Sequence, residues 1–322
     1  MNKRRSLLFL FFVPFFVLAV MCSSSPAADV EAILIETFPH TWAADSIGLV
    51  YDSNNDLLRY AHENATASAP YPCIFDVAYS GAHPLIRSID LSEENAGWRS
   101  ELHETNGAAF DRLANVYFLT DYNGDLTWHD DFIIEVNLQG TVLNAWGMDD
   151  EYAGSNDSSD GTAIDNIADI AVIPGNPPRY FATALYDNNK VYEISLTRGG
   201  WWVADSWHTV KVYEGENVLS EFSDNIGIDW DHENERFYHS DRYSSTVQVT
   251  DINMEPIRGI STFTCPTAGG FISGITFIEG SDPQEIWVTD YSSADSETSR
   301  FESPAGNARL VPGVPLLLLL DD

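Results

Sequence analysis

The chain has 322 residues, with 49 acidic against 16 basic side chains and a formal net charge of −33 at pH 7. A field of that sign repels nucleic acids and anionic membrane surfaces, so we expect neither as a partner. The three cysteines are too few for a scaffold built mainly from disulfides.

The first segment has the composition of a secretory signal peptide. A basic stretch at 3–5 precedes an apolar run over 7–20, and small residues follow at 23–28. This order predicts cleavage after Ala27 or Ala28, and hence a secreted or periplasmic protein. Because the apolar run is shorter than the roughly 20 residues of a membrane-spanning helix, no transmembrane segment is expected after cleavage.

The cysteines leave two questions open. Cys22 follows the apolar run, as in lipoprotein signals, but Met21 stands where such a signal has a small residue, which disfavours a lipid anchor. In the mature chain, Cys73 and Cys265 are either free or joined by a single bridge.

Beyond the signal segment, the sequence has an all-β pattern. Short runs rich in Val, Ile, Tyr, Phe and Trp are separated by clusters of Asn, Asp, Gly and Ser, for example at 52–56, 121–125 and 231–234. Aromatic and β-branched runs between turn-forming residues are typical of strands and hairpins.

One unit recurs five times along the chain. It consists of an apolar strand near a Gly, a polar turn and an aromatic strand, and the copies span 47–62, 107–121, 167–184, 226–241 and 274–290. The first and third copies end in His62 and Ala184, whereas the other three end in Asp. Further strands are predicted after four of the copies, at 74–78, 133–137, 191–195 and 247–250. Four antiparallel strands repeated at this spacing predict the blades of a β-propeller.

The count and the closure of the ring follow from the ends of this repeat. Five blades are predicted, with six as the alternative if 201–213 forms a degenerate blade. A lone strand at 32–38 precedes the first unit, and the last unit lacks an outer strand. We therefore expect the N-terminal strand to complete the last blade of a propeller over 28–302, which removes an exposed edge. A tail over 303–322, with a run of leucines, follows.

The second strand of the unit ends alike in three copies, at 117–121, 238–241 and 287–290. This repeated Tyr/Trp-x-Thr/Ser-Asp ending resembles the YWTD, NHL and gluconolactonase-like group of β-propellers, over roughly residues 30–300. The group includes receptor ectodomains, scaffolds, lyases and metal-dependent lactonases. The resemblance therefore implies a propeller and leaves the function open between a binding module and an enzyme.

The lactonases of this group hold a divalent metal at the channel mouth with a Glu, two Asn and an Asp. In this sequence Asn106 matches one Asn, whereas Ile47 occupies the position of the Glu. Asn225 lies one residue early, and Ser273 stands where the family has Asp. Losing two carboxylates would remove both metal affinity and the electrophile that polarises a lactone, so the resemblance implies a binding module ahead of an enzyme.

Polar residues nevertheless precede several of the predicted inner strands. They are Asn106, Asp165, Asn166, Asp224 and Asn225. Because inner strands of a propeller begin at one end of the channel, we take these five as candidate ligand-binding residues. Asn106, Asp165 and Asn225 are the candidate metal ligands, for Ca²⁺, which prefers oxygen atoms. The alternative is that they cap turns through their own backbone.

Other residues suggest chemistry more weakly. We interpret His62 as a surface substitution, and His239 and Trp207 as packed core residues. The segment 156–161 is interpreted as a flexible acidic loop in preference to a calcium site. The sequence thus predicts an acidic, secreted propeller that binds an extracellular ligand or protein, with a metal-dependent lactonase or lyase as the alternative.

Overall fold

The chain forms five four-stranded antiparallel sheets, which are the blades of a propeller. The structure, a computed structural model, describes residues 30–39, 46–62, 73–91, 105–121, 131–148, 157–185, 189–199, 205–214, 225–257, 261–267, 271–290 and 297–305. In chain order the strands are β1 (Ile33–Pro39), β2 (Ser46–Asp52), β3 (Leu57–His62), β4 (Cys73–Ala78), β5 (Leu85–Asp90), β6 (Thr105–Asp111), β7 (Val116–Asp121), β8 (Phe132–Val136), β9 (Val142–Gly147), β10 (Ile167–Ile173), β11 (Arg179–Ala184), β12 (Val191–Thr197), β13 (Ser206–Tyr213), β14 (Asn225–Asp231), β15 (Arg236–Asp241), β16 (Thr246–Asp251), β17 (Thr262–Thr264), β18 (Gly274–Ile278), β19 (Glu285–Asp290) and β20 (Glu297–Glu302).

The N-terminal strand closes the ring. Blades 1 to 4 are β2–β5, β6–β9, β10–β13 and β14–β17, and blade 5 has the order β18-β19-β20-β1. Strand β1 pairs with β20, from Ile33 opposite Glu302 to Pro39 opposite Glu297. This confirms the predicted closure. The six-blade alternative is wrong, because β13 is the outer strand of blade 3.

The inner strands β2, β6, β10, β14 and β18 contact one another in sequence, and β18 contacts β2. Their packing around the axis is so close that a Cβ atom on Gly107 would lie 2.5 Å from the Cα atom of Asp169. On Gly48 it would lie 2.4 Å from the carbonyl oxygen of Asn106. Steric crowding at the axis therefore explains the glycines of the repeated unit.

The hydroxyl near the end of the second strand connects neighbouring blades. The Thr120 hydroxyl accepts a hydrogen bond from the Gly107 N–H at 2.7 Å and donates to the carbonyl of Ala168, in the next blade, at 2.8 Å. Thr183 likewise donates to the carbonyl of Ile226 at 3.1 Å. The repeated Thr of the sequence thus has a structural role, because it joins one inner strand to the next.

The carboxylates at the ends of three inner strands close tight turns. Asp52, Asp111 and Asp231 are buried, and each accepts hydrogen bonds from the backbone N–H groups two and three residues further on, at 2.9–3.1 Å. Part of the acidity of the chain is therefore structural, since these side chains replace the backbone partners that a tight turn lacks.

Several interpretations from the sequence concern core residues. Trp207 is fully buried, which confirms its assignment to the core. His239 is also fully buried, within 2.9 Å of the Thr250 hydroxyl, and burial lowers its pKa to about 3, so its ring is neutral. The Cys265 thiol is free and buried, so the bridge to Cys73 does not form. Among the described residues, no helix is long and apolar enough to cross a bilayer.

The described part of the predicted acidic loop, residues 157–161, is held by hydrogen bonds. A carboxylate oxygen of Asp157 accepts the Gly147 N–H at 2.9 Å, and Asp160 accepts the N–H groups of Thr162 and Thr209 at 3.0 and 2.8 Å. These contacts attach the loop to strands β9 and β13. The carboxylates of the loop therefore accept hydrogen bonds from backbone N–H groups.

Candidate functional site at the channel mouth

All five inner strands begin at the same end of the channel, which we call the mouth. Four of them have an irregular register there, between Ser46 and Leu49, Thr105 and Ala108, Ile167 and Asp169, and Asn225 and Gly227. Such bulges redirect side chains and occur often beside functional sites.

Two buried asparagines at the mouth have unsatisfied amide groups. Asn106, in blade 2, is 3% exposed, and its Oδ1 atom has no hydrogen-bond partner. Asn225, in blade 4, is 1% exposed, and both Oδ1 and Nδ2 lack a partner. Its backbone N–H donates to Oδ1 of Asn189 at 3.0 Å, which fixes the start of β14. Each such buried group costs about 1–3 kcal/mol of stability, so the two amides are unfavourable as they stand.

A third unsatisfied group lies beside Asn225. Ser240 is fully buried, and its Oγ atom has no hydrogen-bond partner. It pairs with Gly227, where a Cβ atom would lie 2.3 Å from the same Oγ. Thr120 and Thr183 occupy the equivalent position in blades 2 and 3, where the hydroxyl connects blades. Blade 4 therefore concentrates unpaired polar atoms at the mouth.

The other candidate residues have different environments. Asp165 is exposed, in the turn that precedes β10. Asn166 has a left-handed backbone with φ 58°, its N–H donates to the Asp131 carboxylate, and its carbonyl accepts the Leu185 N–H at 2.8 Å. These contacts are made by the backbone of Asn166, so both alternatives for its side chain stay predictions. Asp224 lies outside the described residues.

The interpretation of His62 as a surface substitution is wrong. His62 is 1% exposed, and its ring meets that of Phe75 edge to face at 5.5 Å. It pairs with Ser46 at the start of β2, so the closing position of the unit lies inside the mouth. The closing position of β15 is Asp241, which is also buried and accepts hydrogen bonds from Ser244 Oγ at 3.0 Å and the Tyr243 N–H at 3.3 Å. His62 and Asp241 both end the second strand of the repeated unit. This position in the repeat is the sequence signal that could have indicated their burial.

The described residues at the mouth do not fit the metal set of the lactonases. The position of Asn106 is occupied in the other blades by Ile47, Ala168, Ile226 and Ser273. Ala168 and Ile226 pack with Leu185 in a small apolar cluster, and Ser273 Oγ lies 2.9 Å from the Thr289 hydroxyl. In the part of the chain that the structure describes, no three His, Cys, Asp or Glu side chains are grouped to hold a metal ion.

No family model and no curated protein matches the sequence. Among solved structures, the chain is similar to a luciferin-regenerating enzyme, with 10% identity, a TM-score of 0.49, and coverage of 82% of this chain and 93% of that one. A chain of a nidogen/laminin complex has 17% identity and a TM-score of 0.41 over 72% of this chain and 85% of that one.

A periplasmic gluconolactonase of Pseudomonas aeruginosa has 11% identity and a TM-score of 0.41, over 76% of this chain and 64% of that one. At these identities the likeness concerns the fold and assigns no function. The propeller expected from the sequence resemblance is confirmed, with five blades.

Proposed function

We propose that this protein is a secreted or periplasmic binding propeller that holds a small, neutral, polar ligand at its channel mouth. The observation that carries the proposal is the buried Asn225 amide with both polar atoms unpaired, together with the unpaired Oδ1 atom of Asn106. More than nine in ten buried polar groups in proteins have a hydrogen-bond partner. At a channel entrance, a bound ligand can supply the partner that this amide lacks.

The chemistry of these amides favours a neutral ligand. A carboxamide offers two donors and an acceptor, which suit a hydroxyl or another amide. An anion would meet the field of a chain with a net charge of −33. A calcium ion needs six to eight oxygen ligands. Ala168 and Ile226 add none at the level of Asn106, which disfavours Ca²⁺.

Secretion is the part of the proposal that depends on the sequence alone. The basic and apolar order over 3–20 supports it, and this segment lies outside the described residues. N-terminal sequencing of the protein from an exporting host should give a mature chain that begins at residue 28 or 29. An uncleaved chain that stays inside the cell would contradict secretion, and a lipid-sized mass increase at Cys22 would indicate membrane anchoring instead.

Ligand binding at the mouth is tested by thermal unfolding of the purified protein with two probes: neutral dipeptide amides and calcium chloride. A ligand that binds only the folded state raises Tm in proportion to the logarithm of its concentration. We expect such a rise with a neutral dipeptide amide, and loss of that rise in Asn225→Leu.

The matched control is Gln248→Leu. Gln248 is 1% exposed and its Oε1 atom is unpaired, but it lies in β16, two strands away from the axis. This variant should keep the response to the probe. Absence of a rise with neutral dipeptide amides, or a rise that survives in Asn225→Leu, would contradict the proposal. A rise with calcium alone, reversed by a chelator, would replace it with the cation site predicted from the sequence.

A further inference from the structure

A pocket lies at the end of the channel opposite the mouth, where the inner strands end. We call it the lower pocket. Residues from all five blades line it, and it contains a free volume of about 40 Å³ that is open on one side to solvent. A volume of this size accommodates two or three water-sized groups, so it suits the edge of a small molecule rather than a whole cofactor.

Two nitrogen donors of the lower pocket have no partner. Trp230 is 6% exposed, and its Nε1 atom makes no hydrogen bond. The Nε atom of Arg112 is likewise buried and unpaired. An indole N–H only donates, and a guanidinium only donates, so both groups require an acceptor that the described residues do not supply.

The charge of Arg112 is already balanced by Glu279. One Glu279 oxygen contacts both Arg112 Nη1 and, at 2.8 Å, His232 Nε2. Burial favours the neutral acid, but the hydrogen bond and charge of His232, with smaller contributions from Ser53 and Arg112, lower the pKa of Glu279 overall. Glu279 therefore stays ionised at neutral pH, and the free Arg112 N–H acts as a donor without a net positive charge.

The acceptor of the lower pocket is Asp229. Its Oδ2 atom accepts the Phe277 N–H at 2.7 Å and the Thr276 hydroxyl at 2.9 Å. Its Oδ1 atom accepts only the N–H of the neighbouring residue Trp230, at 2.8 Å. A carboxylate oxygen has room for a second donor, so Oδ1 can accept a hydrogen bond from a ligand.

These groups together select the charge of the ligand. An anion would be repelled by Asp229 and by the net charge of the chain. A cation would leave the N–H groups of Trp230 and Arg112 unpaired, at the cost of two buried donors. A hydroxyl accepts and donates at once, and the aromatic rings of Tyr51 and Phe110 in the lining can contact its carbon skeleton.

We propose that the lower pocket binds the edge of a neutral polyhydroxylated molecule. Its hydroxyl oxygens accept from Trp230 Nε1 and Arg112 Nε, and one of its hydroxyls donates to Asp229. This site is separate from the mouth, because its groups come from the opposite ends of the inner strands.

The test is calorimetric titration of the purified protein with D-glucose, and with glucosamine and gluconate as its cationic and anionic counterparts. We expect millimolar binding of glucose and at least tenfold weaker binding of both charged sugars. Trp230→Phe keeps an aromatic ring and removes the N–H, so it should weaken glucose binding about five- to tenfold, the loss expected for one hydrogen bond.

Arg112→Lys retains the charge and removes the Nε donor, and it provides a second variant if Trp230→Phe unfolds. Asn225→Leu is the control, because it changes the mouth and should leave glucose binding at the lower pocket intact. Absence of glucose binding would overturn the proposal. So would folded Trp230→Phe and Arg112→Lys variants that bind glucose as tightly as the wild type, or tighter binding of a charged sugar than of glucose. Loss of glucose binding in Asn225→Leu alone would assign the sugar to the mouth instead.

Discussion

The turn carboxylates at the lower end of the channel and the asparagine amides at its mouth differ in how their polar atoms are paired. At the lower end, the turns after β2, β6 and β14 are closed by Asp52, Asp111 and Asp231, whose carboxylates bind the turn backbone. At the mouth, the Asn106 and Asn225 side chains are equally well buried but make no such contacts. The comparison teaches that burial of a polar residue in this fold has two meanings. A buried side chain can accept hydrogen bonds from backbone N–H groups of a turn, or it can keep polar atoms unpaired that a ligand could bind.

The largest expected effect comes from the narrow section between the two ends. In Gly107→Ala the new methyl group would overlap the backbone of Asp169 and the carbonyl of Ala168, which no rotamer change can relieve. We expect a loss of about 3 kcal/mol or more in the free energy of unfolding, measured by urea denaturation. Gly81→Ala is the control: it has nothing within 4 Å but a φ of +81°, and should cost about 1 kcal/mol. Equal losses would show that the axis is not tightly packed.

Asp169 tests whether a carboxylate joins the blades at the axis. It accepts the backbone N–H groups of Ala108, in blade 2, at 3.0 Å and of Ile228, in blade 4, at 2.9 Å. Asp169→Ala would leave both donors buried and unpaired, so we expect a loss of about 2–4 kcal/mol. Glu255→Ala, at an exposed position after β16, should change the unfolding free energy by less than about 0.5 kcal/mol. A mild Asp169→Ala variant would mean that water replaces the carboxylate.

The contrast between the ends is sharpest in a pair of substitutions. Asp111→Ala removes the acceptor of two turn N–H groups and should cost about 1–2 kcal/mol. Asn225→Leu removes an unpaired amide and should leave stability unchanged or raise it by about 1 kcal/mol. Urea denaturation of both variants measures the difference. If Asn225→Leu destabilises the protein as much as Asp111→Ala, the Asn225 amide has a structural partner. That result would contradict a ligand-binding role for this amide.

A further expected effect is a dependence of stability on pH at the lower pocket. Burial raises the pKa of Asp229 from 3.8 to about 6, against the hydrogen bonds from Phe277, Trp230 and Thr276. The folded state therefore holds this proton more tightly than the unfolded state. The stability gained is fully present below pH 4 and is lost as pH rises through 6. Asp229→Asn should remove this component, so the stability difference between wild type and variant should change between pH 4 and pH 6 in chemical denaturation. A constant difference would contradict the raised pKa.

The repeat made most of the fold predictable. Five copies of one unit predicted five blades, and the unpaired strand at 32–38 predicted the closure of the last blade, because both depend on local patterns and on the need to cover an edge. The role of Thr120 was not predictable, since its partner Ala168 belongs to another blade. His62 was misjudged for the same reason, because its burial depends on how neighbouring blades meet.

The candidate sites were predictable in part. The positions of Asn106 and Asn225 before inner strands follow from the repeat, but whether their amides are paired depends on residues distant in the sequence. The lower pocket gave no sequence signal at all. Arg112 and Glu279 are 167 residues apart, and they meet only because their turns follow equivalent strands on the ring.

The pairing of β1 with β20 makes the propeller a ring with a single seam. The hydrogen bond between the hydroxyls of Thr37 and Ser299, at 2.9 Å, spans 262 positions of the chain. Contacts of this range form late, since they need nearly the whole chain in place. We therefore expect the fifth blade to assemble last. Removal of β1 would leave β20 as the outer strand of that blade, with its edge exposed to solvent and to other chains.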